Sequence, residues 1–83
     1  MAKKVIPFPF PNQQNSLSFE FLGLAIKSKR TNANLTMHQA AMLCNVPVDV
    51  FTKLENNKGG VSLDSFLKVV NGLGLDIKIG NGL

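Results

Sequence analysis

The sequence predicts a small all-α domain of four helices, five at most, closed by one C-terminal strand. Three observations carry this. The chain has 83 residues, 45% of them hydrophobic and 17% charged, which is one folding domain's worth of core. Apolar residues recur at helical spacing through most of it, and near the C-terminus the pattern changes to strict alternation at 75–79.

A chain this short buries only about 60–65% of its unfolded surface, so it needs a supplement to its core. With one cysteine, Cys44, and one histidine, His38, neither an internal disulfide nor a Cys/His zinc cluster can provide it. Association with a second copy is the expected supplement. No apolar run approaches the roughly 18 residues of a membrane span, and residues 1–4 lead into a Pro/Phe-rich stretch rather than an apolar signal core. A cytoplasmic protein is expected. Net charge +4 favours a polyanionic partner without naming it.

Residues 1–15 form an arm in which Pro7, Pro9 and Pro11 alternate with Phe8 and Phe10. Prolines at every second position remove the donors that a helix or central strand needs and favour extended geometry. Either the arm is a loose tail, or its apolar side chains Val5, Ile6, Phe8 and Phe10 dock on this domain or a partner.

The body of the domain is expected at 16–74. Helix one is read at 17–30, with Leu17, Phe21, Leu22, Ala25 and Ile26 on one stripe and Lys27, Lys29 and Arg30 at its dipole-favoured end. Thr31-Asn32-Ala33-Asn34 breaks the pattern. Thr36 with Gln39 makes a capping box for helix two, 37–44, with Leu35 and Ala40 as its hydrophobic staple. Asn45-Val46-Pro47 then stops and restarts the chain into helix three, 47–55, with Val50, Phe51 and Leu54 as its apolar positions. The loop at 56–60 leads to Ser62 and helix four, whose buried face is read as Leu63, Phe66, Leu67, Val70 and Leu73. In the terminal segment 75–83, Leu75, Ile77 and Ile79 alternate with Asp76 and Lys78 as in a strand. A lone strand needs a partner edge, and the simplest is its own copy in a homodimer, with Leu75, Ile77 and Ile79 as dimerisation residues.

Two short helices joined by a tight turn at Asn45-Val46 are the arrangement of a DNA-binding helix-turn-helix. The residues Leu22-Gly23-Leu24-Ala25-Ile26-Lys27-Ser28-Lys29-Arg30, Leu35-Thr36, Ala41, Asn45-Val46, Phe51-Thr52-Lys53-Leu54-Glu55-Asn56 and 63–70 with Leu73-Gly74 resemble the phage-repressor, or XRE, family. The resemblance spans 22–75, and the C-terminal strand with its Leu73-Gly74-Leu75 lead-in looks more particularly like HipB-type antitoxins.

That resemblance implies a repressor-like fold, binding to double-stranded operator DNA, repression of its own operon and a HipA-type kinase toxin as partner. Carried over, helix three is the recognition helix. Val48, Asp49, Thr52 and Lys53 would face the major groove, while Val46, Phe51 and Leu54 seat it. Thr36 and the amides opening helix two, where Met37 stands, would meet a phosphate. Glu55 would tie helix three to helix one through Arg30 or Lys27. Lys58, beside Gly59-Gly60, is either a phosphate contact or a solvated loop lysine; Lys3 and Lys4 on the arm are possible groove or backbone contacts.

Two departures from the family stand out. Met37 replaces the usual Gln and offers no hydrogen bond, and Asp49 puts a negative charge where relatives carry a neutral polar residue. Asp49 either reads a cytosine amino group or only complements the helix dipole. Nothing in the sequence scaffolds catalysis: His38 has no ligand cluster, Cys44 reads as a small buried residue, and the glycines are explained by turns. Neither an enzyme nor a cofactor is expected. The alternative function is a protein-interaction module that neutralises a toxin with little or no DNA binding.

Overall fold

A computed structural model describes residues 5–11 and 18–77, and its elements follow in the order α1 (Phe19–Asn32), α2 (Met37–Cys44), α3 (Val48–Glu55) and α4 (Leu63–Gly72). The described residues are thus all-α, as the periodicity predicts.

Local chemistry sets each boundary. The Ser18 hydroxyl accepts from the Phe21 amide and opens α1; Leu17, read as its first residue, lies outside the described residues. At its other end α1 runs two residues past the expected stop at 30. There Thr31 Oγ1 donates to the Lys27 carbonyl at 2.8 Å and Asn32 Nδ2 to the Ser28 carbonyl at 2.8 Å, so both polar side chains fold back onto the helix. The capping box of α2 is complete, with the Gln39 amide donating to Thr36 Oγ1 and the Thr36 amide to Gln39 Oε1. Asn45 ends α2 in the left-handed conformation, φ 60° and ψ 46°. Pro47 stands one residue before α3, extended at φ −61° and ψ 149°.

Ile26, Phe51 and Val69 are completely buried, and Ala40, Ala41, Cys44 and Val46 complete the core around them. Burying side chains of this size contributes about 1.5–3 kcal/mol each. Two glycines permit the closest approaches. A Cβ on Gly23 would stand 2.6 Å from the Glu55 carbonyl oxygen, so α1 meets the end of α3 almost backbone to backbone. A Cβ on Gly72 would stand 2.6 Å from Cys44 Sγ and 2.9 Å from its Cα, so α4 lies equally close to α2.

That second contact corrects part of the expected face of α4. Val70 is buried and Leu73 packs against the core as expected, and Val69 joins them, whereas Leu63 is 70% and Leu67 46% exposed. Spacings of three and four fit two neighbouring stripes on one helix, and the approach of Gly72 to Cys44 selects the one containing Val69. The Cys44 thiol points to the Val69 carbonyl at 3.8 Å. Leu63 instead lines, with Phe19, Leu22, Leu54, Val61 and Phe66, an apolar pocket of roughly 240 Å³.

After α4 the Leu75 amide donates to the Val70 carbonyl at 2.9 Å, and the Leu75 side chain packs against the core. Leu75 therefore closes the end of α4. Residues 75–77 form no ladder with the other described residues, and the rest of the expected strand, Lys78 and Ile79, lies outside the described residues. Among the described residues no helix is long and apolar enough to cross a membrane.

Candidate nucleic-acid interface

The pair α2 and α3, joined through Asn45, Val46 and Pro47, forms a helix-turn-helix whose second helix is anchored from below. Phe51 is fully buried, Val46 is 9% exposed and Leu54 is half-buried against the core, the three inward positions expected. Glu55 supplies the polar anchor. Its Oε1 and Oε2 accept from Arg30 Nε at 2.8 Å and Nη2 at 2.9 Å, while Arg30 Nη1 donates to the Leu35 carbonyl at 2.9 Å. The planar guanidinium thus holds the end of α3 and the lead-in to α2 together, a two-pronged geometry that lysine cannot reproduce. Of the two candidate partners for Glu55, Arg30 is the one used.

The outward side of α3 is narrower than the sequence suggests. Asp49 and Lys53 are exposed and lie four residues apart on one face. Val48 is half-buried and packs on the core, which leaves less of it for a thymine methyl. Thr52 is half-buried too, and its hydroxyl donates to the Val48 carbonyl at 2.8 Å, so outwardly it can act only as an acceptor. Asp49 is the acidic residue of the first turn, and Pro47 provides no side-chain cap, so the carboxylate complements an otherwise uncapped helix start.

At the other expected positions, Met37 is half-buried against the core, filling space rather than facing outward. The Thr36 hydroxyl accepts within the capping box and retains its own hydrogen for an outside acceptor. Lys58 is exposed, and its amide donates to the Lys53 carbonyl at 2.9 Å, folding the loop back so that both lysines stand at the C-terminal end of α3. Among the described residues no group of three or more His, Cys, Asp or Glu side chains could hold a metal ion.

The arm docks on α1 through Phe8 and Phe10, while Ile6 stays 73% and Phe10 53% exposed, so the docked alternative holds for part of it. The Phe8 amide donates to Thr31 Oγ1 at 2.8 Å, and Asn32 Nδ2 donates to the Phe8 carbonyl at 2.8 Å. Lys27 Nζ lies 4.6 Å from the centre of the Phe8 ring, and Phe10 meets Phe21 edge-on with ring centres 6.3 Å apart. Sequence reasoning missed Thr31 and Asn32 because it took them for helix-breaking residues. Their signal was their position after Lys27-Ser28, one turn on, where polar side chains can bond back to α1 and outward at once.

No protein-family model and no curated protein matches the chain. Solved structures do match it. A chain of a HipA-HipB-O2-O3 complex is 22% identical with a TM-score of 0.71, covering 86% of this chain and 100% of that one. A chain of a HipB-O4 20mer complex is 22% identical with a TM-score of 0.70 and the same coverage. A protein named MDT Protein is likewise 22% identical, with a TM-score of 0.70 over 86% of this chain and 100% of that one. At this identity the likeness establishes the fold, and it is the fold that the sequence resemblance implied.

Proposed function

We propose that this chain is a sequence-specific DNA-binding repressor and the autoregulatory antitoxin of a HipBA-type module, with a HipA-type kinase toxin as its protein partner. The observation that carries the reading is the seating of α3. Phe51 and the bidentate pairing of Glu55 with Arg30 hold the helix rigidly, while Asp49 and Lys53 stand outward on its free face. The fold is also that of chains solved in complexes of HipB with an O4 20mer and with HipA. The net charge of +4 suits a polyanion.

In this reading Lys53 and Lys58 meet phosphates, Thr36 and the amides of Met37 and His38 meet another at the start of α2, and Asp49 is the candidate base reader. Two copies pair along Leu75, Ile77 and Ile79 and present two recognition helices to half-sites about 34 Å apart. Lys53→Ala should weaken binding to specific and unrelated duplexes alike and flatten the dependence of log K on log salt by about one. Unchanged affinity and slope would remove Lys53 from the interface. Ile77→Pro should shift the protein toward monomer in equilibrium sedimentation, because it removes a ladder donor; an unchanged dimer would place the interface elsewhere.

A further inference from the structure

We propose that the arm at 5–11 is a strap that sets the seating of the recognition helix, with Phe8 as a positioning residue acting through the last turn of α1. Its consequence for DNA rests on the function proposed above; the coupling itself does not.

Three consecutive residues carry the argument. Arg30 reaches one way, to Glu55 of α3 and the Leu35 carbonyl. Thr31 and Asn32 reach the other way, to the amide and the carbonyl of Phe8. Each is bifunctional: Thr31 Oγ1 also donates to the Lys27 carbonyl, and Asn32 Nδ2 to that of Ser28. The side-chain bonds onto the last turn of α1 are therefore made by the same atoms that hold the arm. Ser28 and Thr31 are buried, at 2% and 5% exposure. If the arm leaves, Thr31 Oγ1 loses its donor and Asn32 Nδ2 its outer acceptor, and the helix can fray back to Arg30. The Arg30 carbonyl already accepts from Ala33 and Leu35, so fraying there disturbs the residue that clamps α3.

The arm's composition suits a strap. Prolines 7, 9 and 11 have no amide hydrogen, so within 7–11 only Phe8 and Phe10 can donate, and it is the Phe8 amide that meets Thr31. Prolines also limit the unfolded arm's freedom, lowering the entropy lost on docking. Lys27 over the Phe8 ring and Phe21 against Phe10 add ring contacts that fix the register.

The test compares full-length Phe8→Pro, Asn32→Ala and the conservative Phe8→Tyr with the parent chain, using amide hydrogen exchange without DNA and DNA affinity at several salt concentrations. Phe8→Pro, which has no amide to donate to Thr31, and Asn32→Ala should speed exchange in the last turn of α1 and in α3 about tenfold, leave Val69 and Val70 of α4 unchanged, and Phe8→Tyr should behave as the parent. DNA affinity should fall about threefold to tenfold at an unchanged salt slope. Exchange in α3 that stays at the parent's rate would overturn the proposal. So would exchange that rises equally in every helix, which is loss of global stability alone. A salt slope reduced by about two would overturn it in favour of direct phosphate contacts by Lys3 and Lys4. Should the parent bind no DNA, the exchange result still decides the coupling.

Discussion

Replacing Glu55 by alanine removes the acceptor for two charge-assisted hydrogen bonds, of 2.8 and 2.9 Å, and leaves Arg30 with the Leu35 carbonyl alone. The two side chains are only 11% and 4% exposed, so water cannot readily replace the lost partner. Breaking a buried pair on one side costs about 3–5 kcal/mol; the small exposure of Arg30 argues for the lower end, about 3 kcal/mol. A chain of this size has a total stability of roughly 4–12 kcal/mol, so the loss is a large fraction. It corresponds to a drop in Tm of about 12–24 °C. Urea unfolding followed by circular dichroism measures it directly. The double variant Arg30→Met with Glu55→Leu should recover to within about 1 kcal/mol of the parent, because removing both charges leaves neither stranded. A cost below about 1 kcal/mol for Glu55→Ala, or a double variant no better than the single, would refute the idea that this pair anchors α3.

Three further outcomes follow from named contacts. Gly23→Ala and Gly72→Ala should each cost about 1–3 kcal/mol despite alanine's better helix propensity, because backbone atoms of Glu55 and Cys44 block the two positions; a stabilised variant in urea titration would contradict the close approach. Burial pushes the Cys44 thiol up from its ordinary value. Folding therefore favours the protonated thiol, a contribution fully present below the unfolded pKa of about 8.5 and lost as pH rises from there toward the folded value. Iodoacetamide at pH 8 should modify Cys44 only at the rate of opening, and reaction as fast as a small free thiol would show that it is not buried. Asp49→Ala should change the order of preference among duplexes if the carboxylate reads a base, whereas uniformly tighter binding would mark it as simple repulsion.

What the sequence made legible was local. The capping box of Thr36 and Gln39 and the left-handed turn at Asn45 lie within a few residues of what they control, and α2 has the boundaries that they imply. The link from Glu55 to α1 was legible only through the family resemblance, since nothing local pairs residues 25 positions apart. The face of α4 was misread at Leu63 and Leu67, though not at Val70 and Leu73, because those two match helical spacing as well as Val69 does. The decision belongs to Gly72 against Cys44, a contact between distant segments. The same holds for the arm: its apolar residues left tail and docking open, and only the fold brings Thr31 and Asn32 to Phe8. At the interface, the residue types of α3 were legible, whereas the commitment of the Thr52 hydroxyl to Val48 and of Met37 to the core depends on packing.

Fluorescence anisotropy of the full-length protein on DNA from upstream of its own gene, beside a scrambled duplex and at two salt concentrations, tests the central claim most directly. A sequence-specific repressor should prefer the upstream DNA by about 10³-fold or more, with both affinities falling as salt rises. Equal binding to the two duplexes, or none to either, would contradict it and leave the protein partner as the function of this fold.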